Sequence, residues 1–171
     1  MKTKKLKDVC ICAFFAAMLA ICSQICFLVP GAVSITLQTF AVAFCGYYLG
    51  VKRALLSVLA YVLLGIVGIP VFSGLTGGAA VLFGVSGGFI IGFFPLCALC
   101  ATFNKRGKFL LSFALGLMGL IICHISGVAI FSLVAGATVW SSFIAVSLPY
   151  LIKDIVSVFL ALCLARRLPI I

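Results

Sequence analysis

The chain has 171 residues, 66% of them hydrophobic, and a mean hydropathy of +1.47, where soluble domains are about 45–50% apolar. A spanning helix takes roughly 20 apolar residues, so six of them use about 120 positions and leave only loops and tails; a separate soluble catalytic domain is excluded. The net charge of +10 is clustered beside the apolar runs, so membrane insertion and anionic lipid explain it better than nucleic acid does.

Lys2, Lys4, Lys5 and Lys7 precede a first predicted helix from about Asp8 to Leu28, which stops near Pro30-Gly31. This apolar run of about 20 residues exceeds the 7–15 of a signal-peptide core. Ile21 also stands where signal cleavage requires a small residue, so the run is read as a retained helix. The second predicted helix covers Thr36 to Gly50 and the third Ala54 to Val67, with Lys52 and Arg53 between them and Gly68-Ile69-Pro70 closing the third. Residues 71–83 are Gly-rich and apolar, too short and broken to cross the membrane. Irregular backbone at membrane depth is tolerated only against protein or a cavity, so this stretch is expected to fold in as a lid. The remaining predicted helices are Gly84 to Phe103, Phe109 to Val134 and Pro149 to Leu168.

Lys105, Arg106 and Lys108 separate the fourth and fifth runs, and Arg166 and Arg167 close the last, whereas residues 30–35, 70–83 and 135–147 carry no charge. Cytoplasmic loops accumulate Lys and Arg. The alternation therefore predicts an all-α integral membrane protein: one domain over residues 1–171, six transmembrane helices, both termini cytoplasmic.

Small residues mark faces where helices approach closely: Ala13 with Ala17, Ala16 with Ala20, Gly46 with Gly50, and Gly84, Gly88 and Gly92. The nine cysteines include a Cys97-x-x-Cys100 pair, but there is no second pair and only one His. No tetrahedral metal set is available, and the thiols are expected to pack between helices. No nucleotide-binding loop is present, so the chain does not hydrolyse ATP by that route.

Lys153-Asp154, inside the last apolar run, is the exception to the charge pattern. An ionisable group there costs about 2.5–3.5 kcal/mol by insertion scales, which points to a polar ligand site. Neighbours on a helix point about 100° apart, so the two residues are not obliged to pair. His124 is expected to pack against its neighbours, although a Ser-His-Asp arrangement with Asp154 and some outer serine remains an alternative.

The segments Ile35-Thr36-Leu37-Gln38-Thr39, Gly65 to Phe72, Gly77-Gly78 through Phe93, and Pro149-Tyr150-Leu151-Ile152-Lys153-Asp154 resemble, in order, those of the BioY family of biotin transporters. That resemblance implies a substrate-binding S component of an energy-coupling factor transporter in a bacterial plasma membrane, binding biotin itself and no further cofactor. It also implies a transmembrane coupling subunit and two ATPase subunits as partners, docked on the Ala13 and Ala17 stripe. The expected substrate-binding set is Asp154, Lys153, Gln38, Phe72, Ser86, Phe89 and Tyr150. In it, Asp154 accepts from the ureido N–H groups, Lys153 holds the carboxylate, and Phe72, Phe89 or Tyr150 covers the ring. The family usually has Gly-Pro-Thr-Gly-Gly where this chain has Gly84-Val85-Ser86-Gly87-Gly88, Tyr in place of Phe89, and Lys in place of Ser157. An S component for another vitamin, a small intramembrane enzyme using His124 and Asp154, and a purely structural subunit are the competing readings.

Overall fold

The computed structural model describes residues 2–27, 33–102 and 108–169. Its elements are α1 (Lys2–Gln24), β1 (Cys26–Phe27), β2 (Ile35–Thr36), α2 (Gln38–Leu49), α3 (Val51–Ile66), a 3-10 turn (Ala79–Val81), α4 (Gly87–Thr102), α5 (Phe109–Ala135), α6 (Val139–Val146) and α7 (Leu148–Arg167). The predicted stop at Pro30-Gly31 and the cluster at Lys105-Arg106 lie outside the described residues. Among the described residues three stretches, Lys5–Gln24, Phe109–Ala135 and Leu148–Arg167, are long and apolar enough to cross a membrane.

α2 is the central rod. It packs on α4, α7, α3 and α1, and is buried almost from end to end, from Gln38 to Tyr47. Gly50 joins it to α3 without a loop. Its φ of 79° is open to glycine at no steric penalty, while its N–H donates to Gly46 O and its carbonyl accepts from Ala54 N–H. α3 therefore starts at Val51, three residues before the predicted Ala54, and Lys52 and Arg53 fall in its first turn. Arg53 there meets Asp8 of α1 at 2.7 Å.

The largest interface joins α4 to α5. Glycines permit it: a Cβ at Gly88 would overlap Ser126 O, and one at Gly92 would lie 2.7 Å from Cys123 Cα. Gly46 does the same for α2 on α4, where an added Cβ would be 2.7 Å from Cys100 Cβ. Cys97 and Cys100 are thus buried free thiols that fill space between helices, as expected of small polarizable side chains.

Several elements depart from the sequence expectations. The uncharged connector after α5 contains a helix of its own, α6, whose N-cap Thr138 accepts from Ser141 N–H. β1 and β2 form a two-residue antiparallel pairing, β1 at the expected end of the first helix and β2 across the expected start of the second at Thr36. Gly84 lies before α4 rather than in it. Segment 71–76 folds onto the end of α1: Ser23 Oγ donates to Val71 O (2.5 Å), Gln24 Nε2 to Phe72 O (3.0 Å), and Leu75 N–H to Gln24 Oε1 (3.0 Å). On α1 itself Ala16 is buried, while Ala13 and Ala17 are exposed.

Candidate functional site

The N-terminal ends of α2, α4 and α7 meet the middle of α5 at the end of the bundle away from Lys52, Arg53, Arg166 and Arg167. They enclose a cleft of about 610 Å³, counted to its mouth, roofed by Phe72-Ser73, Ser86 and the Val33–Thr36 stretch. All seven residues named from the sequence, Gln38, Phe72, Ser86, Phe89, Tyr150, Lys153 and Asp154, line this one cleft.

Its polar centre is Asp154, only 5% exposed. A carboxylate this deep requires partners, because an unpaired buried charge costs several kcal/mol. Lys153 Nζ lies 2.5 Å from Asp154 Oδ1 and donates to Thr36 O at 2.8 Å. The adjacent residues, not obliged to pair by helix geometry, do so because the long lysine chain folds back over its neighbour and also reaches the strand before α2. His124 Nε2 is 3.3 Å from Asp154 Oδ2, and Thr39 faces the same carboxylate. A carboxylate has roughly four acceptor positions, and these neighbours occupy part of them.

The walls are aromatic. Phe72 is buried and stands edge-on to Tyr61 at 5.5 Å, and Phe89 stands edge-on to His124 at 5.8 Å. Each ring is seated by a glycine that does not itself line the cleft. A Cβ on Gly65 would overlap the Phe72 ring, and one on Gly127 would overlap the Phe89 ring. Tyr150 donates its hydroxyl to Val33 O, which ties α7 to the roof. Gln38 Nε2 donates to Tyr61 OH at 2.5 Å, and Tyr61 OH donates to Val71 O at 3.2 Å. Gln38 is thereby coupled to the segment that carries Phe72. Ser86, in the turn before α4, accepts the N–H groups of Phe89 and Ile90 on its backbone carbonyl.

Sequence reasoning left His124 out of the binding set, yet it lines the cleft. The usable signal was its place within an apolar helix, where any ionisable residue is a site candidate. Ser147 Oγ stands 2.9 Å from His124 Nδ1, so Ser147, His124 and Asp154 have the connectivity of a Ser-His-Asp triad. Ser147 is nevertheless fully buried and lies outside the cleft, against an apolar cavity between α5, α6 and α7. The backbone N–H groups of Ser147, Tyr150 and Leu151 are all bonded to carbonyls. The serine thus has no access to a solute in the cleft, which acyl transfer to such a solute requires.

A helical membrane bundle with a cleft of aromatic walls around a buried, paired carboxylate defines a membrane-embedded small-solute binder. The chain belongs to the BioY family, whose model matches residues 1–170. It is 38% identical over 164 residues to a protein of Pyrococcus horikoshii named "Probable biotin transporter BioY", covering 96% of this chain and 97% of that one. It is 41% identical over 99 residues to "Biotin transporter BioY" of Thermotoga maritima, covering 57% and 59%. A 2.1 Å crystal structure of the S-component for biotin from an ECF-type ABC transporter superposes with a TM-score of 0.86 at 26% identity, over 98% of this chain and 93% of that one.

Proposed function

We propose that this protein is the biotin-binding S component of an energy-coupling factor transporter and captures biotin at the outer face of the plasma membrane. The observation that carries the reading is the cleft itself, in a fold that matches a biotin S component over nearly its full length. Biotin presents two ureido N–H donors, an apolar bicycle and tail, and a carboxylate. Asp154 supplies the acceptor and Phe72, Phe89 and Tyr150 the apolar walls; Lys153 supplies a cation where the family lysine is Ser157.

α1–α5 and α7 are the six crossings, with both termini cytoplasmic and α6 in the outer layer; the basic clusters at the end opposite the cleft support this orientation. Energy comes from a transmembrane coupling subunit and two ATPase subunits. The exposed Ala13 and Ala17 face of α1 suits the coupling subunit, because helices in lipid approach most closely over small side chains. The test is ligand co-purification: protein purified from cells grown with mixed vitamins is extracted and its small molecules identified by mass spectrometry. Near-stoichiometric biotin is the expected result. Retention of a different vitamin, or of none after biotin is added back, overturns the assignment.

A further inference from the structure

We propose that His124 is a positioning residue for substrate binding, which fixes the Asp154 carboxylate with Nε2 and anchors it, through Nδ1, to Ser147 between α6 and α7. The inference rests on the biotin reading of the cleft and adds to it a residue that the motif segments do not contain.

Each ring nitrogen has one polar neighbour, Asp154 Oδ2 at 3.3 Å from Nε2 and Ser147 Oγ at 2.9 Å from Nδ1. An ionised carboxylate only accepts, so we place the ring proton on Nε2, toward Asp154, and leave Nδ1 to accept from the Ser147 hydroxyl. The Lys153 ammonium at 2.5 Å already balances the carboxylate charge, so a neutral imidazole completes the cluster without adding an unpaired charge. The ring is held from the side by Phe89, edge-on at 5.8 Å, and its far side borders the apolar cavity that Trp140 and Phe143 help to line. Among the described residues its polar atoms have partners in two directions, Asp154 and Ser147.

Ser147 is well placed as the anchor. It is the last cap of α6 and the first of α7: its N–H donates to Phe143 O, and its carbonyl accepts from Tyr150 and Leu151 N–H. Lys153 approaches Asp154 from the same helix, and its own anchor is the Thr36 carbonyl. His124 is the contact that ties the carboxylate to α5. Without it, the carboxylate keeps only its contacts with Lys153 and Thr39, and its orientation toward the cleft is no longer fixed from α5.

The test uses three single-site variants of the full-length protein in detergent, with biotin titrated calorimetrically. His124→Phe removes both hydrogen bonds and should weaken biotin binding about 10-fold or more, the range for a hydrogen bond to a charged group. His124→Gln places its amide near the Nε2 position and should recover most of the affinity. His124→Asn reaches only the Nδ1 position and should not. A packing role alone predicts that the two amide variants behave alike, and that result overturns the proposal, as does a His124→Phe variant binding as tightly as the parent.

A second readout needs no variant. The chain has a single histidine, so protein carrying no histidine tag and labelled with 15N-histidine gives one pair of ring nitrogen resonances. The Nε2–H tautomer is expected, with both resonances moving when biotin is added; the Nδ1–H tautomer overturns the assignment. If the parent protein does not bind biotin, the functional reading fails. If the parent binds and the His124 results do not follow this order, only the positioning role fails.

Discussion

Replacing Asp154 by Asn keeps the volume of the side chain and removes its charge. A ligand hydrogen bond to a charged acceptor contributes about 1.5–3 kcal/mol, so biotin affinity should fall roughly 10- to 150-fold. Stability should change less. Stranding one member of a buried ion pair costs about 3–5 kcal/mol, but the Lys153 side chain is 30% exposed and keeps its bond to the Thr36 carbonyl. We expect roughly 1–2 kcal/mol once solvent screening is allowed for. Adding Lys153→Met removes the stranded ammonium, so the double variant should recover thermal stability without recovering affinity. The assay is calorimetric titration of biotin into detergent-purified protein, with melting followed in parallel and gel filtration confirming the folded state. A folded Asp154→Asn variant with unchanged affinity would refute the assignment of the carboxylate as the ligand's acceptor.

Three further outcomes follow from the packing. Gly88→Ala drives a methyl into the Ser126 carbonyl across the α4–α5 interface; overpacking of this kind costs about 1–3 kcal/mol, visible as a lowered melting temperature, and an unchanged melt would show that the two helices separate easily. Amides of residues 71–83 should exchange more slowly with biotin bound, because Phe72 and Ser73 roof the cleft; identical exchange with and without ligand would make the segment a fixed connector. Ala13→Trp with Ala17→Trp should abolish co-purification of the coupling subunit and uptake while biotin binding stays near normal, since both positions are exposed. Loss of folding and binding together would mean that these alanines pack inside the bundle.

Much of this architecture is legible in the chain because lipid imposes long apolar runs and charge marks their ends. The residues lining the cleft are legible through the segments shared with the family. The helix α6 is not, because the connector from 135 to 147 is nearly as apolar as the spans and offers neither charge nor proline to outline it. His124 stays out of the binding set for a different reason, although the sequence allows it beside Asp154 and an outer serine as a catalytic alternative. Its partners Asp154 and Ser147 are distant in sequence, and a lone histidine in an apolar helix gives no hint of which way it points. For α1 the sequence shows two small-residue faces without ranking them. Burial of Phe15, Ala16 and Leu19 turns one inward and leaves Ala13 and Ala17 outward.

The recesses behind the two cleft phenylalanines carry a lesson for how selection would act on this protein. Any side chain at Gly65 evicts the Phe72 ring, and any at Gly127 evicts the ring of Phe89, though neither glycine lines the cleft. A saturation scan scored on growth at limiting biotin should therefore rank both glycines among the least replaceable positions, beside Asp154. Lineages drifting toward a bulkier solute have a route that leaves every cleft residue unchanged: substitute a recess glycine and let the displaced aromatic ring redraw the wall. Ligand preference in such a lineage would be recorded in its glycines before it was recorded in its binding residues.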